Sequence, residues 1–259
     1  MDLGISGKRA IVCASSKGLG RACVISLAKN GVSLVINGRG EEALAQTARD
    51  IAEISDVEIT QVPGDVGTAE VQQALLAACP APDILINNNG GPPFRDFQEL
   101  DRDAMVAGVT MNMITPIELI QSTIDGMAER GFGRIVNITS ISVKMPIPGL
   151  DLSSGARAGL TSFLAGVAPK YAASNVTINN LQPGFFLTER HDAAWKQAMD
   201  ERGLTLEEAI AERAAAVPAK RFGDPMEFGE ACAFLCGANS GYITGQNLLI
   251  DGGRFPGAF

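Results

Sequence analysis

Short β-branched runs recur along this 259-residue chain, each followed by a longer amphipathic segment, and this alternation constrains the fold more than any other feature. RAIVCA precedes RACVISLAKNG, SLVING precedes EEALAQTARDIAEI, VEITQV precedes AEVQQALLAACP, and DILINN precedes a helical stretch that runs to about Arg130. RIVNITS is followed by GLTSFLAGVAPKYAA, VTINNLQP by a loop and two helical segments, and QNLLID comes last. Strand, helix and strand at this spacing predict βαβ units, hence a parallel sheet of seven strands with helices on both faces, a doubly wound α/β/α sandwich. No linker composition or fixed-period repeat divides the chain, so one domain over 1–259 is expected. Long helices are expected over roughly 101–130 and 153–173.

Charge and composition narrow the partners. With 46% hydrophobic and 19% charged residues the chain has material for a sizeable core. A net charge of −8 argues against a nucleic acid or an anionic membrane held by a general basic field. No apolar run approaches the roughly 18 residues of a membrane span, and a cytoplasmic protein is expected. Five scattered cysteines fit reduced core thiols. Cys232 and Cys236 share a helix face, but with a single histidine in the chain no metal site is expected.

The first strand ends in CASSKGLG and a helix follows at once. Such a turn, here Ala14, Ser15, Ser16, Lys17, Gly18, Leu19 and Gly20, offers backbone amides at a helix N-terminus to a pyrophosphate. At the end of the second strand a carboxylate would favour NAD, whereas arginine pairs with the 2′-phosphate of NADP. The chain has Asn37 and Arg39 there, with Lys17 nearby and no acid at the strand end, so NADP is the expected cofactor and NAD the less favoured one.

With these pieces in place, the sequence resembles the short-chain dehydrogenase/reductase family, and within it the 3-oxoacyl-carrier-protein reductase-like branch, over essentially its whole length. CASSKGLG matches the family's TGxxxGxG, with Cys13 and Ala14 in place of Thr and the first Gly. GDV matches the segment that meets the adenine, giving Asp65 and Val66, and NNNG matches NNAG, giving Asn88 and Gly90. PGFFLT resembles the loop beside the nicotinamide and supplies Pro183, Gly184 and Thr188, with a helical substrate lid at about 184–217. The resemblance implies a Rossmann-like fold, a small-molecule carbonyl or alcohol substrate of the 3-oxoacyl kind, and a homodimer or homotetramer built on the two long helices.

Asn112 and Ser140 match two members of the family's catalytic tetrad. Counting thirteen residues on from Ser140 reaches Ser153, where the family has tyrosine, and four more reach Arg157, where it has lysine. RAGL after Arg157 matches the family's KAGL and confirms the register. Serine is a far weaker acid than a phenol, and Arg157 stays charged and relays protons poorly. Losing a positioned general acid typically lowers a rate by about 10²- to 10⁴-fold. Neither Tyr171, at the far end of its helix, nor Tyr242, in GYITG, stands where the family's tyrosine does. Asp151, expected to cap its helix, Lys144, and His191, read as an exposed lid residue, are the substitutes near the pocket. A water held by Ser140, Ser153 and Asn112 is a further proton source. The residues leave three readings open: a reductase with an altered proton donor, a non-redox lyase or isomerase using Ser140 and Arg157 to stabilise an oxyanion, and a cofactor-binding protein without catalysis. In the last stretch, RFPGAF suits either an interface or a frayed end.

Overall fold

The computed structural model describes residues 2–258. β1 (Arg9–Val12) runs into α1 (Gly18–Lys29), β2 (Ser33–Gly38) into α2 (Glu41–Ala52), and β3 (Ile59–Pro63) into α3 (Ala69–Ala78). β4 (Ile84–Asn87) leads through a loop to α4 (Arg102–Val109), a π-turn (Thr110–Ile114) and α5 (Thr115–Glu129). β5 (Gly133–Ile138) precedes α6 (Asp151–Ala165) and the short α7 (Ala168–Tyr171). β6 (Val176–Pro183) opens into α8 (Asp192–Arg202) and α9 (Leu206–Ala214), and α10 (Pro225–Cys236) returns the chain to β7 (Asn247–Ile250).

The seven strands form one parallel sheet in the order β3-β2-β1-β4-β5-β6-β7. Period-two alternation sends neighbouring side chains to opposite faces. Ala10 and Val12 join a core with Val24 and Leu27 of α1 and Phe228 of α10, while Ile11 and Cys13 join another with Leu119 and Ile124 of α5 and Leu160 of α6. Both faces are covered, so the strands read as unbroken apolar runs. The order reverses between β1 and β4, and the C-terminal ends of those two strands open the crevice where such sheets place their ligands.

One polar row crosses this apolar interior. The register sets Asn87 opposite Asn137, Asn137 opposite Asn180 and Asn180 opposite Asn247. Each amide donates to the next: Asn87 Nδ2 to Asn137 Oδ1 at 2.9 Å, Asn137 Nδ2 to Asn180 Oδ1 at 3.0 Å, and Asn180 Nδ2 to Asn247 Oδ1 at 2.8 Å. A one-residue slip of a central strand would break the row and bury unpaired amides, at about 1–3 kcal/mol per group.

The two long helices differ from expectation in instructive ways. Asp101 caps the first, its Oδ1 accepting the Ala104 amide at 2.7 Å, but the helix carries a π-turn around Asn112 instead of running regularly. The second ends at Ala165 rather than near 173, since Pro169 has no amide hydrogen and its ring opposes the carbonyl four residues back. Asp151 does not cap it. Leu150 holds the N-cap position without a side-chain bond, and Asp151 lies in the first turn, where its charge acts only on the helix dipole. All five cysteines are free and buried, and burial pushes the Cys13 thiol up to about 12. Among the described residues no cluster of metal-ligating side chains occurs, and no helix is long and apolar enough to cross a membrane.

Candidate active site

The turn between β1 and α1 is built so that only a very small residue fits at Gly20. A Cβ there would collide with the Ala14 carbonyl and come within 2.9 Å of Asn88 Nδ2. Ala14 itself adopts φ +43°, a left-handed conformation that costs a non-glycine residue about 1–2 kcal/mol. The Lys17 N-cap makes no side-chain bond and no acid occupies the first turn, which leaves the leading amides of the 12-residue α1 free for an anion. Thr188 lies over this turn, its Cγ2 3.6 Å from where a Gly18 Cβ would sit, and Glu189 reaches to 3.8 Å of the same point. The cradle therefore fits a dinucleotide pyrophosphate.

Several residues assigned to the cofactor by sequence turn their side chains inward instead. Asn37 is fully buried: its Oδ1 accepts the Ala14 amide at 3.2 Å, and its Nδ2 donates to the Val62 and Gly64 carbonyls at 2.9 and 3.1 Å. With its amide spent, Asn37 has no free side-chain group to offer a ligand, whereas Arg39 is exposed with Nη2 3.9 Å from a Gly90 Cβ position. Ser15 Oγ is likewise bonded to Val12 O at 2.9 Å, and Asn88 Nδ2 to Ala14 O at 3.0 Å. Asp65 is exposed and folds one oxygen onto the Gly67 amide at 2.8 Å, while Val66 is buried. Ser16 and Leu19 are half-buried, Pro183 closes β6, and Gly184 packs on Asp251 with no room for a Cβ.

Three of the four tetrad positions converge below this turn. Ser153 and Arg157 are both buried, and Arg157 donates from Nε to Ser153 Oγ at 3.1 Å and from Nη1 to Ile138 O at 2.5 Å. Arg157 and Asn112 line one small cavity of about 10 Å³, enough for a single water. Three other polar atoms of that lining, Asn112 Oδ1, Asn87 Oδ1 and Thr115 Oγ1, are buried without a partner among the described residues. The π-turn is what brings Asn112 here, and such turns are frequent at functional sites. Ser140 is half-buried at the end of β5, and its Oγ accepts the Ser142 amide at 3.0 Å rather than bonding Ser153.

A second buried arginine shows how unusual Arg157 is. Arg134 makes five hydrogen bonds, to Gly237 O, Gly133 O, Asn175 O, Asn175 Oδ1 and Ala238 O, and stacks on Phe132. Arg157 makes two and pairs with no carboxylate among the described residues. Burial first and the nearby Arg190 second pull its pKa down to about 10, which keeps it charged at neutral pH.

The segment after β6 adds features that no motif announces. His191 is half-buried rather than exposed, among Phe185, Trp195 and Phe222, at ring separations of 6.0, 5.5 and 5.6 Å. Desolvation, then Arg213 and Arg190, hold its pKa below the ordinary histidine value, so it is neutral at pH 7 and poorly suited to donate a proton. Arg190 lays its guanidinium on Gly91, 2.8 Å from a Cβ position there. Its only sequence signal is its place two residues beyond Thr188. Tyr171 is occupied by Asp125 at 2.8 Å, and Tyr242 is wholly exposed. Lys144 stands over Phe255 at 5.5 Å and Arg254 over Phe185 at 3.8 Å, so the tail beginning RFPGAF folds back on its own chain; Phe259 lies outside the described residues.

Comparison with known proteins identifies the family. A family model described as enoyl-(acyl carrier protein) reductase matches residues 13–254. The chain is 30% identical to the NADPH-dependent reductase BacG of Bacillus subtilis (strain 168), over 96% of its own length and 98% of that protein. It is 30% identical to an acetoacetyl-CoA reductase of Allochromatium vinosum, over 95% and 98% of the two chains. L-sorbose reductase from Gluconobacter frateurii, solved with NADPH and L-sorbose, superposes with a TM-score of 0.94 at 28% identity, covering 99% of this chain and 100% of that one. With the seven-stranded parallel sheet and the glycine turn at its switch point, these matches place the chain in the short-chain dehydrogenase/reductase family, in the branch that resembles 3-oxoacyl-carrier-protein reductases.

Proposed function

We propose that the protein is an NADPH-dependent oxidoreductase that interconverts a carbonyl and an alcohol through an altered proton-donating group. The observation that carries this reading is the buried Ser153–Arg157 pair, set at the tetrad positions beside an intact dinucleotide cradle. NADPH bound there supplies a hydride. The amides of the 14–20 turn hold its pyrophosphate, Arg39 its 2′-phosphate, Asp65 and Val66 border its adenine, and Asn88, Gly90, Pro183, Gly184 and Thr188 border the remainder. The NADPH complexes among its relatives support this choice of cofactor.

The chain's own residues then divide the work. Ser140 Oγ donates to the carbonyl oxygen, and Arg157 supplies positive potential where negative charge develops. Neither is a good proton source at pH 7, so the proton comes from a water held by Ser140, Ser153 and Asn112. The kinship with reductases favours this reading over non-redox chemistry. Residues 184–217 act as the substrate lid of a single domain. Met105, Val106, Val109, Ile114 and Phe163, exposed on α4 through α6, support a homodimer or homotetramer through that face. Free buried cysteines support a cytoplasmic setting.

Titration of NADPH, followed by its fluorescence, tests the cofactor, and saturable binding is expected, tighter than that of NADH. Ser153→Tyr combined with Arg157→Lys tests the proton donor. Reduction of simple ketones and of a 3-oxoacyl thioester should rise by about 10²- to 10⁴-fold. Absence of binding at millimolar NADPH refutes the reductase reading, and a double variant no faster than the native protein refutes the impaired donor.

A further inference from the structure

Arg157 is a buried cation whose two hydrogen bonds go to neutral acceptors, Ser153 Oγ and Ile138 O. The second cation comes from the lid. Arg190 belongs to the turn Glu189–His191, and its guanidinium covers the backbone of Gly91, with Nη2 2.8 Å and Cζ 3.4 Å from a Cβ position. Gly91 directly continues the Asn88–Gly90 loop, and Asn88 and Asn89 line the cavity that Arg157 lines. The two arginines thus flank one loop, near enough that the charge of Arg190 acts on Arg157. Neighbouring acids are directed elsewhere: Glu189 reaches toward Gly18, and Asp192 borders a groove beside α1. No ion pair joins either arginine to a carboxylate among the described residues. A protein of net charge −8 has therefore gathered two unpaired cations at its active site. Like charges brought together in this way repel unless an anion joins them.

We propose that Arg190 binds a carboxylate on the substrate while Arg157 faces the reacting oxygen, so that the enzyme acts on oxo acids and hydroxy acids rather than on neutral ketones. This rests on the reductase reading and names its substrate class. An oxo acid under reduction has two anionic ends, a fixed carboxylate and a developing alkoxide, and the site has two cations. The guanidinium plane matches a carboxylate with two parallel hydrogen bonds. Arg190 is exposed and carried by the lid, so it reaches the substrate as the lid settles, whereas Arg157 is held by its bonds in α6.

Trp195 makes this testable without turnover. It is the only tryptophan, and its ring lies 5.5 Å from that of His191, the neighbour of Arg190, so its fluorescence reports on the lid. The enzyme saturated with NADP⁺, which cannot reduce a ketone, is titrated with pyruvate, acetoacetate and levulinate and with their methyl esters. At least one acid should bind about tenfold or more tighter than its ester. Arg190→Gln should shrink that gap to less than about twofold, Arg190→Lys should restore part of it, and NADP⁺ affinity should hardly change. Acids that bind no better than esters overturn the proposal. So does an Arg190→Gln variant that loses NADP⁺ affinity while keeping the preference for acids, since Arg190 would then serve the cofactor's phosphates. If NADP⁺ does not bind at all, the reductase reading fails, and the acid–ester comparison on the free protein still decides the role of Arg190.

Discussion

Replacing Arg157 with methionine should leave the fold standing while removing the chemistry. Carrying this charge in the core is costly. Its pKa falls from the ordinary arginine value to about 10, chiefly through desolvation, and at about 1.4 kcal/mol per pKa unit the depression corresponds to about 3 kcal/mol against the folded state. The folded protein holds fewer protons than the unfolded chain from about pH 10 up to the ordinary arginine value, so the cost is complete below pH 10 and fades as pH rises through that window. Methionine removes the cost but forfeits the bonds to Ser153 Oγ and Ile138 O, each about 1.5–3 kcal/mol for a charged donor. The balance is a net destabilisation of about 0–3 kcal/mol. Denaturant unfolding at neutral pH measures it directly. In the same variant, NADPH-linked reduction should fall by about 10²-fold or more, the usual loss when a group that stabilises an oxyanion is removed. A destabilisation above about 5 kcal/mol would make Arg157 a structural strut like Arg134, and reduction within about twofold of the native rate would end its catalytic assignment.

The His191 cluster and the sheet offer two further tests. Because the folded pKa of His191 is depressed, protonation is resisted in the folded state, and the stability it contributes is fully present above the unfolded value of 6.5 and is lost as pH falls below it. The fluorescence of Trp195 should therefore change on acidification from pH 7 toward about 5, and His191→Phe should flatten that response; an unchanged profile in the variant would assign the titration to another group. Asn137→Ala should lower unfolding stability by about 1–3 kcal/mol, since it strands Asn180 Oδ1 in the interior and leaves Asn87 Nδ2 only its 3.4 Å bond to Pro116 O. A loss under about 1 kcal/mol would mean that the asparagine row does not secure the register.

Local order in the sequence was enough for the architecture and for the outline of the site. Apolar periodicity identifies seven strands and their helices because it expresses burial over spans of about ten residues, where neighbours in sequence are neighbours in space. The glycine turn is legible for the same reason, since Gly18 adopts φ +54° and Gly20 passes close to the Ala14 carbonyl six residues back. The spacing of Ser153 and Arg157 is legible too, since both lie one turn apart on one helix, where they bond to each other. Tertiary structure decided where the polar side chains go. Asn37 faces inward because β3 and the first loop supply its partners, from 23 to 27 residues away. The asparagine row exists only once β4, β5, β6 and β7 lie side by side. Asn112 comes to line one cavity with Arg157 from a π-turn that periodicity does not reveal, and Arg190 meets Gly91 across about a hundred residues of chain. Backbone periodicity is a short-range property written in each segment, whereas the destination of a charge or an amide depends on which distant segments the closed sheet sets beside it.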